Sequence, residues 1–387
     1  MLHSLLPKGD FKKMAIKFIT DRKTLLSLIQ PAMTATSNKS TLPALEGLLF
    51  NLERDGVLTV CGYDLEKGVK TSSPVYPKEV GSVILNAQKI YAIIKNMPEC
   101  EIEINADEKN AVTIKGGASE FTIHGLAAEA FPNLPELLGD RSFTITQGLL
   151  KEMINSTIFA VAQIDARPIL TGELFQIEEN KLTIVALDGA RLALREEKNA
   201  VFDNKDTFRF VVPGKSLSDL CKLITDNDEM MKVEFTRKHI VFRIGDVIFF
   251  SRLLEGEYLD YTRALPQQSK IFVEVERSEF IESVERASLL VDERLKTPLR
   301  FRFEDNLLHV FCSTQYGKVN DQVRIKKEGD DIEISFNNRY LLDALRACKD
   351  ETILASLTGP LTSMMLTPVG HRDSSYIYLV LPCRVKS

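Results

Sequence analysis

The side chains of this chain that could do chemistry are few and scattered. Pro213-Gly214-Lys215-Ser216 has the Gly-Lys-Ser core of a loop whose backbone N–H groups cradle phosphates. The earlier glycine that such a loop needs is missing, so the segment reads better as a helix start. No Gly-x-Ser-x-Gly nucleophile elbow occurs. The five histidines, His3, His124, His239, His309 and His371, are isolated, and several sit inside strand patterns, so each reads as structural. Asp188-Gly189 offers a carboxylate, but a turn between strands explains that pair better. The six cysteines, Cys61, Cys100, Cys221, Cys312, Cys348 and Cys383, are dispersed with no C-x-x-C pair, which argues against zinc and for a reducing cytoplasm. The sequence therefore suggests no catalytic residue, no metal and no cofactor.

The elements that would position any site come next. A chain of 387 residues, 44% hydrophobic and 27% charged, has the composition of a soluble globular protein of several domains. No apolar run approaches the ~18 residues that span a bilayer. Residues 1–14 read as an N-terminal extension whose apolar patch, Leu5-Leu6, stops at Pro7. The stretch from Arg167 to Ala193 sets the grammar of the rest. A Pro-marked turn leads to an apolar run, Ile169 to Phe175, and then to the polar turn Glu178-Glu179-Asn180. A second β-rich run from Leu182 to Leu187 ends at Asp188-Gly189. Leu42 to Asp64 and Thr297 to Cys312 repeat it, with prolines at 43, 168 and 298, in steps of 125 and 130 residues. A strand-to-helix landmark also recurs, at Asn86, Pro213 and Asn337, in steps of 127 and 124. Each unit reads as β-α-β-β-β written twice, an α+β arrangement with helices on one face of the sheet. The second helices are expected over Lys89–Met97, Ser216–Ile224 and Tyr340–Cys348.

Overlaying these helices brings Gln88, Lys215 and Arg339 to one place and Lys95, Lys222 and Arg346 to another, seven residues further on. Seven residues are two turns, so the two places share a face. Five of the six positions are basic in a chain whose net charge is −5. A solvated face explains one such helix. Its recurrence in three units favours a common anionic partner, a phosphate backbone met without base reading. Lys151 on the first helix of the second unit adds to this face. No interleaved series of basic and aromatic residues offers a platform for single strands.

These features meet in a resemblance. Thr41-Leu42-Pro43-Ala44-Leu45, Phe131-Pro132-Asn133-Leu134, Asp188-Gly189-Ala190-Arg191-Leu192-Ala193, Tyr258-Leu259-Asp260-Tyr261 and the closing run Tyr378 to Arg384 occur in this order. With the threefold repeat they resemble the bacterial DNA polymerase III beta subunit family, the sliding clamps. The resemblance implies the DNA-clamp fold, with domains at 15–139, 140–266 and 267–387. It implies a head-to-tail homodimer closed into a ring around double-stranded DNA, helices inside and sheets outside. It implies a non-enzymatic processivity factor in the cytoplasm, associated with the nucleoid. Short peptide motifs of the replicative polymerase alpha subunit, the clamp loader, repair polymerases and mismatch-repair proteins would bind between the second and third domains. The implied walls of that pocket are Leu170, Leu187, Gly189, Ala190, Arg191 and Leu192, completed by Leu259, Arg263, Ala264, Leu379, Leu381, Pro382 and Cys383. Ala190 stands where the family often has His, Leu259 where it often has Pro, and Cys383 where it often has Met. Lys39 matches a DNA-contacting position, and Phe121 and Ile123 would meet Leu289 and Leu290 of the partner subunit. The residues alone leave two other readings open: a DNA-processing enzyme with an unrecognised carboxylate site, and a protein-binding scaffold with no DNA role.

Overall fold

The computed structural model describes residues 15–37, 39–137, 139–164, 166–203, 206–266, 268–291, 297–370 and 374–383. The expected extension at 1–14 lies outside them. A strand, a helix and three strands follow one another six times. The first two rounds are β1 (Ile16–Asp21), α1 (Arg22–Ala32), β2 (Gly47–Leu52), β3 (Val57–Tyr63), β4 (Lys67–Pro74), a short additional β5 (Tyr76–Glu79), then β6 (Gly81–Asn86), α2 (Ala87–Asn96), β7 (Glu101–Ala106), β8 (Ala111–Gly116) and β9 (Ser119–His124). The next two are β10 (Arg141–Thr146), α3 (Gln147–Asn155), β11 (Gly172–Glu178), β12 (Lys181–Leu187), β13 (Arg191–Glu197), then β14 (Phe208–Pro213), α4 (Gly214–Leu220), β15 (Met230–Phe235), β16 (His239–Ile244) and β17 (Val247–Arg252). The last two are β18 (Ile271–Glu276), α5 (Arg277–Ser288), β19 (Leu299–Glu304), β20 (Leu307–Thr314), β21 (Gly317–Glu328), then β22 (Ile332–Phe336), α6 (Asn338–Ala347), β23 (Thr352–Leu357), β24 (Met364–Pro368) and β25 (Ser374–Val380).

Packing divides the chain into two compact units, and the middle repeat contributes to both. The first holds the described residues up to Thr144 with Lys222–Ile224 and Met230–Leu253; the second holds Ile145–Cys221, Thr225–Glu229 and the chain from Leu254 on. In the first, a five-stranded sheet runs β5-β1-β7-β8-β9 and an eight-stranded sheet β10-β15-β16-β17-β4-β3-β2-β6. Leu25 and Ile29 of α1 and Ile90 and Ile94 of α2 share a core with Phe18, Phe50, Val60 and Ile104 from the strands. In the second unit one twelve-stranded sheet runs β14-β11-β12-β13-β25-β24-β23-β18-β21-β20-β19-β22. Phe280 of α5 and Leu341 and Leu345 of α6 pack there with Phe301, Val310 and Ile353.

Local chemistry sets where the helices begin. The Asn86 side chain accepts from Lys89 N at 3.1 Å, and Asn337 accepts from Arg339 N and Tyr340 N at 3.0 and 3.2 Å. Each Asn is an N-cap that satisfies donors the helix cannot. These caps start α2 and α6 at Ala87 and Asn338, two residues before the expected positions, and α4 likewise starts at Gly214. α4 begins at Pro213-Gly214 with no side-chain cap and stops at Leu220, four residues short of expectation. One landmark also shifts. Pro43 and Pro168 open 3₁₀ turns that end four residues later at Gly47 and Gly172, whereas Pro298 directly precedes β19. The strand register makes Pro298 the counterpart of those glycines: Gly47 and Gly172 lie opposite Asn86 and Pro213, and Leu299 opposite Phe336.

Glu173, at the start of β11, is fully buried. Thr157 Oγ1 donates to its Oε1 at 2.7 Å, while Oε2 has no hydrogen-bond partner. Burial raises its pKa well above the usual carboxylate value, against the smaller opposing pull of the Thr157 bond. The folded chain thus keeps a proton that the unfolded chain releases, so stability falls as pH rises past the ordinary glutamate pKa of about 4.3. Glu173→Gln should melt a few degrees higher than the unaltered chain at pH 8.5, with the gap narrowing toward pH 5. An equal gap at both pH values would show that Glu173 is ionised in the fold.

Candidate functional site

The turn between β12 and β13 is built by Asp188. Its Oδ1 accepts from Ala190 N at 2.9 Å and Arg191 N at 3.1 Å, and Gly189 takes φ 89°, a conformation that favours glycine. The turn aims Arg191 at a set of partners. Nε donates to Asp188 Oδ2 at 3.0 Å and a terminal nitrogen donates to Asp343 Oδ2 of α6 at 2.6 Å. The guanidinium lies 4.5 Å from the Tyr340 ring centre and 5.5 Å from that of Phe159. Two carboxylates and two rings hold a largely buried cation, which anchors α6 to this turn.

Beside the turn lies an apolar cluster. β13 pairs with β25, placing Leu192 opposite Leu379, and β24 places Met365 on the other side of Leu379. Past the end of β25, Leu381 N donates to Ala190 O at 2.9 Å and Cys383 N to Ser335 O at 2.8 Å. Leu170, Leu187, Leu192 and Leu379 pack with Tyr258, and Met365, Tyr261 and Leu265 lean on them. Leu170 and Leu379 are 0% and 1% exposed, so they form the floor of this cluster and not the expected wall. Leu187 and Leu192 are buried as well. The accessible members are Leu259 at 39%, Leu381 at 42%, Gly189, Ala264 and Arg263, with Ala190, Arg191, Pro382 and Cys383 half-buried. Arg263 pairs with Asp260 at 2.9 Å. Met365 and Leu265 escape the sequence reading, and Tyr261 enters it only as part of a motif, not as a member of this cluster. Strand adjacency is what brings Met365 in, and no local pattern announces it.

The basic positions are exposed, with three qualifications. Gln88 and Lys95 on α2, Lys215 on α4, Arg339 and Arg346 on α6, and Lys39 all face solvent. Lys95 Nζ sits 5.6 Å from the Tyr91 ring centre. Lys222 is exposed but lies beyond the end of α4, because the helix is shorter than the spacing argument required. Lys151 is half-buried and pairs with Asp226 at 3.3 Å, and Arg346 pairs with Glu285 at 2.8 Å, so local acids already claim part of both charges. A cleft of about 750 Å³ lies between α3 and the end of α6. It is lined by Glu152, which binds Arg195 at 2.9 Å and Lys349 at 2.6 Å, and it is separate from the leucine cluster.

Phe121 and Ile123 lie on β9, the edge strand of the five-stranded sheet. Phe121 is 42% exposed. Leu289 and Leu290 follow α5; Leu289 is 84% exposed, and Leu290 Cδ1 lies 3.8 Å from where a Cβ on Gly317 would stand.

Sequence models of the N-terminal, central and C-terminal domains of the DNA polymerase III beta subunit match residues 16–135, 144–260 and 262–384. The chain belongs to the DNA polymerase III beta subunit family. The beta sliding clamp of Halalkalibacterium halodurans is 34% identical over 375 residues, which cover 93% of this chain and 98% of that one. The crystal structure of the DNA polymerase sliding clamp from Bacillus subtilis superposes with a TM-score of 0.91 at 31% identity, covering 96% of this chain and all of that one. A putative DNA polymerase III beta subunit from Eubacterium rectale gives 0.90 at 30%, over 95% and 99%. The chain thus has the three-domain α+β fold of the family and, as a member of it, is a non-catalytic component of DNA replication.

Within this beta-subunit fold Arg191 is the polar corner of the leucine cluster. Arg191→Met leaves Asp188 and Asp343 without their shared cation and should lower the unfolding free energy by about 1–3 kcal/mol. Urea denaturation followed by circular dichroism reads this. An unchanged midpoint would mean that the two ion pairs stabilise nothing.

Proposed function

We propose that two copies of this chain close head to tail into a ring that encircles duplex DNA and tethers polymerases to it. The segments 15–139, 140–266 and 267–387 act as the repeated domains. One repeated junction carries this reading. β4 pairs with β17, with Val69 opposite Phe249, and β13 pairs with β25, with Ala193 opposite Tyr378. Both aromatic residues are fully buried. The counterparts in the remaining round are β21 and β9. Gly317 to Arg324 pair with β20 on one side, and no described strand pairs with the other; β9 is likewise an edge. The hairpins β16-β17 and β8-β9 align Phe121 with Phe249.

An open edge carries unpaired backbone donors and acceptors that favour another strand. A second copy supplies it: β21 pairs with β9 of the partner subunit, Val319 opposite Phe121 of the partner subunit. Gly317 then meets Ile123 of the partner subunit beside Leu290, and the exposed leucine at 289 and Phe121 become interface. Around the DNA, Lys39, Gln88, Lys95, Lys151, Lys215, Lys222, Arg339 and Arg346 give screened, sequence-tolerant contacts that permit sliding. No helix among the described residues is long and apolar enough to cross a membrane. The proposed setting is the cytoplasm, at the nucleoid.

The leucine cluster with its Arg191 corner is the tether. Large apolar side chains of a short peptide would seat against Leu259, Leu381 and the buried leucines beneath, with Ala190 and Cys383 shaping preference. The alpha subunit of the replicative polymerase, the clamp loader, repair polymerases and mismatch-repair proteins are the proposed sources of such peptides.

Two measurements test the ring. Protein loaded on nicked circular DNA should stay bound through gel filtration and be released when a nuclease cuts the circle. Equal retention on circle and linear product would rule out encirclement. Phe121→Asp should halve the mass measured by light scattering while leaving the circular dichroism spectrum intact. A variant that stays dimeric would remove β9 from the interface.

A further inference from the structure

The first unit contains a counterpart of the leucine cluster, and comparing the two shows why one is open and the other closed. The inference rests on reading the second unit's cluster as a peptide pocket. The frameworks agree in detail. Asp64 binds Lys67 at 2.8 Å as Asp188 binds Arg191 at 3.0 Å, each across the turn that precedes the junction strand. Arg252 N donates to Glu66 O at 2.8 Å as Leu381 N donates to Ala190 O at 2.9 Å. Leu49, Tyr63 and Phe131 cluster in the first unit where Leu174, Leu187 and Tyr258 cluster in the second.

The difference lies in one register pair. Where Leu192 faces Leu379 in the second unit, Gly68 faces Phe250 in the first. The Phe250 ring lies directly on the glycine: a Cβ at Gly68 would stand 2.1 Å from Phe250 Cζ. The same ring packs on Tyr63, with centroids 5.6 Å apart. Glycine is required here because the backbone itself is one wall of the seat. Outside, Arg252 stands where the second unit has the half-exposed Leu381, while Leu65 in the turn is 41% exposed, so the rim of the first unit is part charged and part apolar.

We infer that the first unit holds a second seat for the same class of ligand, a short peptide with a large apolar anchor, and that the chain's own Phe250 occupies it. The seat is shaped around a phenyl ring, so the anchor it accepts is aromatic. Phe250 acts as an intramolecular anchor present at very high effective concentration, which keeps binding at one peptide per chain.

The test is a calorimetric titration with a synthetic hexapeptide ending in Leu-Phe, run on the full-length protein. The unaltered chain should bind one peptide per chain, and Phe250→Leu, which keeps an apolar residue but vacates the space over Gly68, should bind two. A Phe250→Leu chain that melts cooperatively and still binds one overturns the inference and leaves the pocket of the second unit standing. No binding by the unaltered chain overturns the pocket reading, and this inference with it. The reciprocal double variant, Leu192→Gly with Leu379→Phe, transplants the ring and its glycine. It should reduce binding to none while DNA retention on circles persists. Binding at unaltered affinity by that variant overturns the inference even where Phe250→Leu fails to fold.

Discussion

A strand at the edge of a sheet exposes a row of backbone N–H and C=O groups, and satisfying that row is the constraint from which the rest follows. Among the described strands, β4, β9, β13, β17 and β25 each end a round with an outer side that no strand of their own repeat pairs, and β21 does so from Gly317 to Arg324. β4 finds β17 and β13 finds β25, so sheets run on through the joints without interruption. Because side chains alternate across a strand, the joint register also fixes which residues are buried. That is why Phe249 and Tyr378 disappear into cores while the equivalent Phe121 stays half in solvent. The proposed ring is the third instance of the same hydrogen-bonding solution, made between chains.

The leucine cluster, proposed above as a peptide pocket, is a by-product of such a joint. β25 pairs along β13 up to Val380 and then continues past the strand end, where Leu381 N still reaches Ala190 O. The turn that starts β13 and the tail that leaves β25 therefore lie side by side, one with a glycine at φ 89° and the other with an exposed leucine. Arg191 ties this corner to α6 through Asp343 and Tyr340. The same helix carries Arg339 and Arg346. One element thus serves both the proposed DNA face and the proposed tether.

Much of this was legible in the sequence, and the failures have physical causes. The twin landmarks exposed the repeat because turn and cap chemistry is local: Asn86 and Asn337 must cap, and Asp188-Gly189 must turn. Pro298 misled because proline marks two different things, the start of a 3₁₀ turn at 43 and 168 and the residue before a strand at 298. Periodicity alone puts Lys222 on a helix, whereas α4 ends at Leu220. Lys151 looked like its neighbours in sequence, but Asp226, brought close only by the fold, takes part of its charge. Leu170 and Leu379 are expected as walls, yet they lie at the floor of the cluster against Tyr258 and Met365, which are remote along the chain. The opposition of Gly68 and Phe250 is a register fact that no single segment contains.

The weakness of the basic surface is consistent with the proposed role. Exposed ion pairs contribute roughly 0–1 kcal/mol each and are screened by salt. Arg346 and Lys151 are further discounted by Glu285 and Asp226. A protein that held DNA by such contacts alone would dissociate readily at physiological salt, and one that held it by strong contacts would not slide. The proposed encirclement would separate the two demands, because topology would supply retention and leave the charges only the task of centring. The overall charge of −5 would then cost little, since the acids need only lie away from the few helix faces proposed to meet phosphate.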